Sequence, residues 1–231
     1  MISLSHRFIF IHVPKTAGTA LTEALQPYAR PEPRTLYRRL LRRLPVTQSV
    51  TGAYFRQHDT AAQIRATLTP EVFDSFHSFG VVRNPFDHAV SYYEFMKEYR
   101  SRRHARLART MSFAQHLEHR LRPRHFHEKP FLRLPNQSFY LCDASGRVLV
   151  TEVLRFETLE EDLANLAGRL GLTVPPLGRA RQSRFRDPGR SLSAYYEDPR
   201  AVDLVRRLYA PDFAAFGYPP DPPAAPWAGL P

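Results

Sequence analysis

The stretch Phe8-Ile9-Phe10-Ile11-His12-Val13-Pro14-Lys15-Thr16-Ala17-Gly18-Thr19-Ala20-Leu21 decides the fold, because an almost unbroken apolar run stops at a proline and passes straight into small and hydroxylated residues. Phe8 to Val13 is too short for a helix, is rich in aromatic and β-branched residues, and is apolar nearly throughout. That is the pattern of a parallel strand covered on both faces. His12 is its one polar interruption. Beyond Pro14, the small residues Ala17, Gly18 and Ala20 let main-chain N–H groups approach a ligand, and a helix opening near Gly18 points its positive end at an anion. Lys15 and the hydroxyls of Thr16 and Thr19 supply the side-chain half of such a cradle.

The residue order is not that of the Gly-x-x-x-x-Gly-Lys-Ser/Thr loop of nucleoside triphosphatases: the lysine precedes the glycine, and the spacing glycine is missing. A loop in the same place with a different order predicts a phosphorylated ligand handled without the usual magnesium ligand. Further on, Phe76 to Val82 predicts a second buried strand. Asn84 follows as an N-cap, with Pro85 at the first helical position and Asp87 three residues after the cap. Phe86, Ala89, Val90, Tyr93 and Met96 share one face of the helix so predicted, with Ser91 off that stripe, one turn beyond Asp87. Arg83 and Ser91 are therefore candidates to face a phosphate over the carboxyl edge of the sheet, where open α/β sheets bind ligands. The competing role for Arg83 is an ion pair with Asp87 or Glu94.

Val13-Pro14-Lys15-Thr16-Ala17-Gly18-Thr19 resembles the 5′-phosphosulfate loop of the sulfotransferases, in particular the branch containing carbohydrate sulfotransferases (family 2 type). Residues 79 to 93, Phe-Gly-Val-Val-Arg-Asn-Pro-Phe-Asp-His-Ala-Val-Ser-Tyr-Tyr, resemble that family's 3′-phosphate segment. The resemblance implies an α/β, P-loop-like three-layer fold with a central, mainly parallel sheet flanked by helices. It implies 3′-phosphoadenosine 5′-phosphosulfate (PAPS) as sulfate donor, a hydroxylated acceptor such as a carbohydrate, and no metal. On that basis Lys15, Thr16, Ala17, Gly18, Thr19 and Ala20 bind the 5′ end of the donor, and Lys15 meets the departing oxygen. Arg83 and Ser91 bind the 3′-phosphate. His58, between the two segments, corresponds to the catalytic base of several carbohydrate-directed members. His88 departs from the family pattern, in which arginine or another residue is common. The rival readings are a basic nucleotide- or polyanion-binding protein without catalysis and a nucleotide-dependent phosphotransferase.

With 231 residues the chain is long enough for one domain with a substantial core, expected over 1–218 and followed by a Pro/Ala-rich tail, 219–231. No stretch is long and apolar enough to span a bilayer, and the N-terminus enters the first strand almost at once. Cys142 stands alone, so no internal disulfide can form; with the missing leader this predicts a cytoplasmic protein. The formal charge of +11 favours anionic partners, but a nucleotide, a glycan, a nucleic acid and an anionic membrane all satisfy it. Aromatic residues are too few in the arginine clusters for a stacking platform, so nucleic acid is not expected. Only Lys15, Lys97 and Lys129 are lysines among 33 basic side chains, which makes a compact ammonium at Lys15 a specific choice.

Elsewhere, Leu36, Leu40, Leu41 and Leu44 predict one stripe of a short helix flanked by arginines, facing the core, with membrane or glycan contact as the alternative. Helices are expected from Ala61 to Leu68 and after Thr69-Pro70. Residues 99 to 135, rich in Arg and His, are the candidate acceptor-binding surface; His116, His119, His125 and His127 lack the cysteines and carboxylates that would complete a metal site. Phe139 to Cys142 and Val148 to Phe156 predict a β-hairpin. Thr158 to Glu161 predicts a capping box before a helix that Gly171 stops. Arg181, Ser183 and Arg184 belong to a basic loop that is either solvated or closed over the nucleotide. Asp198-Pro199 opens a last helix.

Overall fold

The computed structural model describes residues 1–32, 35–41, 44, 46–123, 134–177 and 190–223. In chain order these form β1 (Ile2–Ser3), β2 (Phe8–Ile11), α1 (Gly18–Leu25), α2 (Leu36–Leu41), α3 (Ala61–Leu68), α4 (Pro70–Asp74) and β3 (His77–Val82). There follow α5 (Pro85–Lys97), α6 (Arg102–Thr110), α7 (Phe113–Leu121), α8 (Ser138–Leu141), β4 (Glu152–Arg155), α9 (Leu159–Leu170), α10 (Pro199–Leu208) and α11 (Ala210–Phe216). They fall into two compact units, Met1–Val82 with Gln137–Gly178, and Arg83–Asn136 with Arg179–Pro231.

The first unit carries a four-stranded open sheet in the order β1-β2-β3-β4, antiparallel at β1 and parallel elsewhere. Helices flank it, which is the P-loop-like α/β architecture expected. All of Phe8 to Ile11 is buried, as the apolar run requires, and Phe79 packs its ring against Phe8 and Phe10 at 5.9 and 5.3 Å. Ile11 pairs with Gly80, so β2 and β3 run side by side and end on the same edge of the sheet. Gly80 is bare for a reason: a Cβ there would lie 2.5 Å from Leu141 Cδ2 and 3.3 Å from the Ile11 carbonyl. Thr60 and Gln63 close a capping box at α3, and Thr69 caps α4 by accepting from the Val72 N–H.

Three expectations are corrected in this unit. The hairpin is reduced to a single antiparallel bridge, Cys142 to Val148. Its first arm is the helical turn α8, and its second supplies β4, which pairs in parallel with β3. Four apolar residues fit either period, and the Leu141 side chain is needed against Gly80. The turn itself is real: Asp143 Oδ1 accepts from the N–H groups of Ser145 and Arg147. Thr158 forms no capping box; its hydroxyl donates to Asp162 while a 3-10 turn over Phe156–Thr158 feeds α9 directly. Leu159, Leu163 and Leu166 are nevertheless inward, and Gly171 ends the helix at φ 65°. The α2 stripe does not face a core: Leu36, Leu40 and Leu44 are exposed and Leu41 is half-buried. Spacing shows which residues share a face, not what that face meets.

In the second unit α5 buries Phe86, Ala89, Val90 and Tyr93 against side chains of α7, α10 and the 3-10 turn Ser193–Tyr195. Asn84 caps α5 by accepting from the Phe86 N–H, and Pro85 opens it, as expected. Arg120, buried in α7, donates to the Tyr209 hydroxyl at 2.9 Å and the Leu134 carbonyl at 3.0 Å, with its guanidinium over the Tyr92 and Tyr209 rings. Arg206 donates to the Pro220 carbonyl and pairs with Asp221, so the start of the tail is tied to α10. The Arg181, Ser183 and Arg184 loop, His125 and His127 lie outside the described residues.

Candidate phosphate-binding and acid–base site

The turn between β2 and α1 is built from backbone in an unusual state. Lys15 has φ 68° and Ala17 has φ 63°, ψ 14°, both in the left-handed region that costs a residue with a Cβ about 1–2 kcal/mol. Left-handed Ala17 followed by helical Gly18 is the alternation that turns successive N–H groups into one concavity, the geometry of a main-chain anion nest. The first helical hydrogen bond of α1 runs from Leu21 to the Ala17 carbonyl, and Ala17 has no side chain with which to cap. The N–H groups of Gly18, Thr19 and Ala20 therefore have no intrahelical acceptor, and the helix dipole adds its positive end.

Lys15 and Ala17 are half-buried and Thr19 is exposed. Thr16 is buried, and its hydroxyl donates to the Val13 carbonyl at 2.9 Å. Its proton is thus committed inside the turn, and Thr16 presents its main-chain N–H, not its hydroxyl, as a donor. Thr22, one turn on, does the same to the Gly18 carbonyl at 2.7 Å.

His58 is brought to the same turn. Its Nδ1 lies 3.1 Å from the His12 carbonyl oxygen, and the two imidazoles meet edge to face at 4.8 Å. A carbonyl only accepts, so Nδ1 carries the proton and Nε2 of neutral His58 carries the lone pair. His12 is buried, and its Nδ1 accepts from the Gln57 side-chain amide at 3.2 Å. Burial first, then the neighbouring His58 and the Met1 amino group, push its pKa down to about 3, so His12 is neutral and has no acid–base role near pH 7. Sequence reasoning marked His12 only as an interruption and gave Gln57 no role. The signal was present: a polar side chain inside a buried strand has to find hydrogen-bonding partners.

Arg83 directly follows the last residue of β3. It is buried and ion-paired with Asp87, Nε and Nη2 both reaching Oδ2 at 2.7 and 2.5 Å. The competing role foreseen for Arg83 is therefore present, with Asp87 as partner. Glu94 binds Lys97 and the Tyr195 hydroxyl. Ser91 is half-buried on α5. His88 is fully buried and hydrogen-bonded through Nδ1 to Tyr209 at 3.0 Å, which makes this departure from the family pattern a packing residue. His116 packs at a tilt against the Tyr92 and Tyr93 rings, and among the described residues no group of three or more His, Cys, Asp or Glu side chains is placed to hold a metal. Among them, too, no helix is long and apolar enough to cross a membrane.

A parallel sheet whose strand exit carries a main-chain anion nest defines a phosphate-loop α/β protein. The model of the sulfotransferase family matches residues 1–219, and the chain belongs to that family, in its family 2 branch. No curated protein and no solved structure matches it.

Proposed function

We propose that this sulfotransferase uses PAPS as donor and a hydroxyl, on a carbohydrate, as acceptor, within a single domain over 1–218. The observation that carries the reading is the uncapped N-terminus of α1 behind left-handed Lys15 and Ala17, in a chain matched by the family over residues 1–219. The N–H groups of Thr16, Ala17, Gly18, Thr19 and Ala20 hold the 5′-phosphate. Lys15 neutralises the oxygen that bridged phosphorus and sulfur. Arg83, oriented by its ion pair with Asp87, and Ser91 hold the 3′-phosphate.

The donor supplies an activated sulfuryl group, and the acceptor oxygen bonds to its sulfur as the bridging S–O bond breaks. The electron pair of that bond goes to the phosphate oxygen beside Lys15, and the acceptor proton goes to Nε2 of His58. Arg102 and Arg103, exposed on α6, belong to the acceptor surface. A cytoplasmic location is part of the same reading, supported by the lone, buried Cys142.

Incubation with radiolabelled PAPS and a panel of hydroxylated acceptors tests it: label is expected on a carbohydrate. Label on tyrosine or a small alcohol alone overturns the acceptor class. Magnesium-dependent ATP consumption without sulfation identifies a phosphotransferase, and steeply salt-dependent binding without turnover a polyanion-binding protein.

A further inference from the structure

His12 is a buried, neutral histidine to which the sulfotransfer scheme gives no task. Three observations converge on it. Its carbonyl receives the His58 Nδ1 proton at 3.1 Å. Its ring is fixed by Gln57 at 3.2 Å, so that the residue adjoining His58 in sequence also clamps the partner of His58 in space. Its ring also fills the space over the first residue of α1: a Cβ at Gly18 would come 2.2 Å from His12 Nε2 and 2.3 Å from Cδ2. Gly18 has no left-handed φ that would explain a glycine there. The side chain that Gly18 lacks is excluded by His12.

We infer that His12 is a positioning residue that couples the phosphate loop to the base: its carbonyl fixes the His58 tautomer, and its ring, seated on Gly18 and held by Gln57, fixes that carbonyl. The inference rests on the reading of His58 as base. Donor binding and proton acceptance are then aligned by one rigid contact. Placing a reacting group is worth large rate factors, and displacement by about 1 Å can cost about 100-fold. The inference also assigns Gly18 a reason distinct from close approach of phosphate: it is bare to admit an imidazole.

The test uses the full chain, with 3′-phosphoadenosine 5′-phosphate as binding probe. In histidine ¹⁵N spectra, with the His58 signals identified by their loss in His58→Gln, neutral His58 is expected with Nδ1 protonated and Nε2 bare. In His12→Ala the two tautomers are expected to mix, with kcat falling about 100-fold while probe affinity changes less than about threefold. Gly18→Ala is expected to weaken probe binding about tenfold or more, and the double variant His12→Ala/Gly18→Ala to bind like His12→Ala, because the ring that Cβ strikes is gone. Neutral His58 protonated at Nε2, or a double variant that binds as poorly as Gly18→Ala, overturns the inference. These readouts do not need turnover. A wild-type chain with no sulfotransfer but with this tautomer and this coupling would refute the role of His58 as base while leaving the contact in place.

Discussion

The two parallel strands β2 and β3 end on the same edge of the sheet, yet the chain leaves them in opposite ways. After β2 it spends six residues, 12 to 17, on a turn with two left-handed positions and offers mainly main-chain N–H groups. After β3 it spends two, Arg83 and Asn84, before Pro85 opens α5, and what it offers is a guanidinium already held by a carboxylate. A main-chain site is preorganised by strain and tolerates change in most of its side chains. A side-chain site needs little backbone distortion but depends on the identity of one residue.

The comparison breaks most visibly at Lys15, the side chain of the β2 turn proposed to meet the departing oxygen. Lys15→Ala is expected to lower kcat by about 1,000-fold, with an unfolding midpoint close to wild type, because the lost interaction forms only as the oxygen becomes an anion. Near-normal turnover would remove Lys15 from the chemistry. The same turn carries a pH liability that the β3 exit does not share through His12. With the His12 pKa pushed down to about 3, the unfolded chain binds a proton that the folded chain refuses at pH values between the ordinary histidine range and 3. Stability thus falls as pH drops through that window, by up to about 1.4 kcal/mol per pH unit from this group. His58 and the Met1 amino group face it, and both add to the lowering of its pKa that burial begins. Denaturant titrations from pH 7 to pH 4 should show a shallower loss in His12→Asn than in wild type, and parallel curves would argue against a depressed pKa.

At the β3 exit, Arg83→Met is expected to raise the donor KM by about 10- to 100-fold with kcat changed far less, the loss of one charge-assisted phosphate contact. Equal falls in kcat and kcat/KM would instead give Arg83 a part in the transition state. Two stability measurements then sharpen the contrast. Asn84→Ala removes the cap on α5 and should cost about 1 kcal/mol. Ala17→Gly should do the opposite, raising stability by about 0.5 kcal/mol, since relief of the left-handed strain slightly exceeds the added freedom of the unfolded chain. A destabilised Ala17→Gly would mean that the turn is not strained.

Much of this was legible in the sequence, for identifiable reasons. β2, β3 and the starts of α1 and α5 announce themselves through long apolar runs followed by residues with strict positional preferences, Pro85 and Asn84 above all. The segment from Phe139 to Cys142 did not, because four residues hold no decisive period and its fate was set by the need of Gly80 for a neighbour. Thr158 had the composition of a cap but is the last residue of a 3-10 turn that feeds α9 directly, and its hydroxyl donates to Asp162. At the site, Lys15 to Ala20 were marked by residue type, but the commitment of the Thr16 hydroxyl to Val13 is a matter of backbone direction that no composition shows. His12 was visible as an anomaly, and only its three-dimensional neighbours give the anomaly a purpose.

The pairing of β3 with β4 joins segments that the ribosome delivers far apart. When Val82 emerges, one side of β3 is already matched by β2, while the other side waits until Glu152 to Arg155 have been translated. Throughout the synthesis of residues 83 to 151 the nascent sheet keeps an open border containing Phe79, Val81 and Val82, the kind of border that recruits strangers. Biogenesis of this enzyme therefore has a vulnerable interval fixed by its topology, and its length is the time needed to translate that insertion.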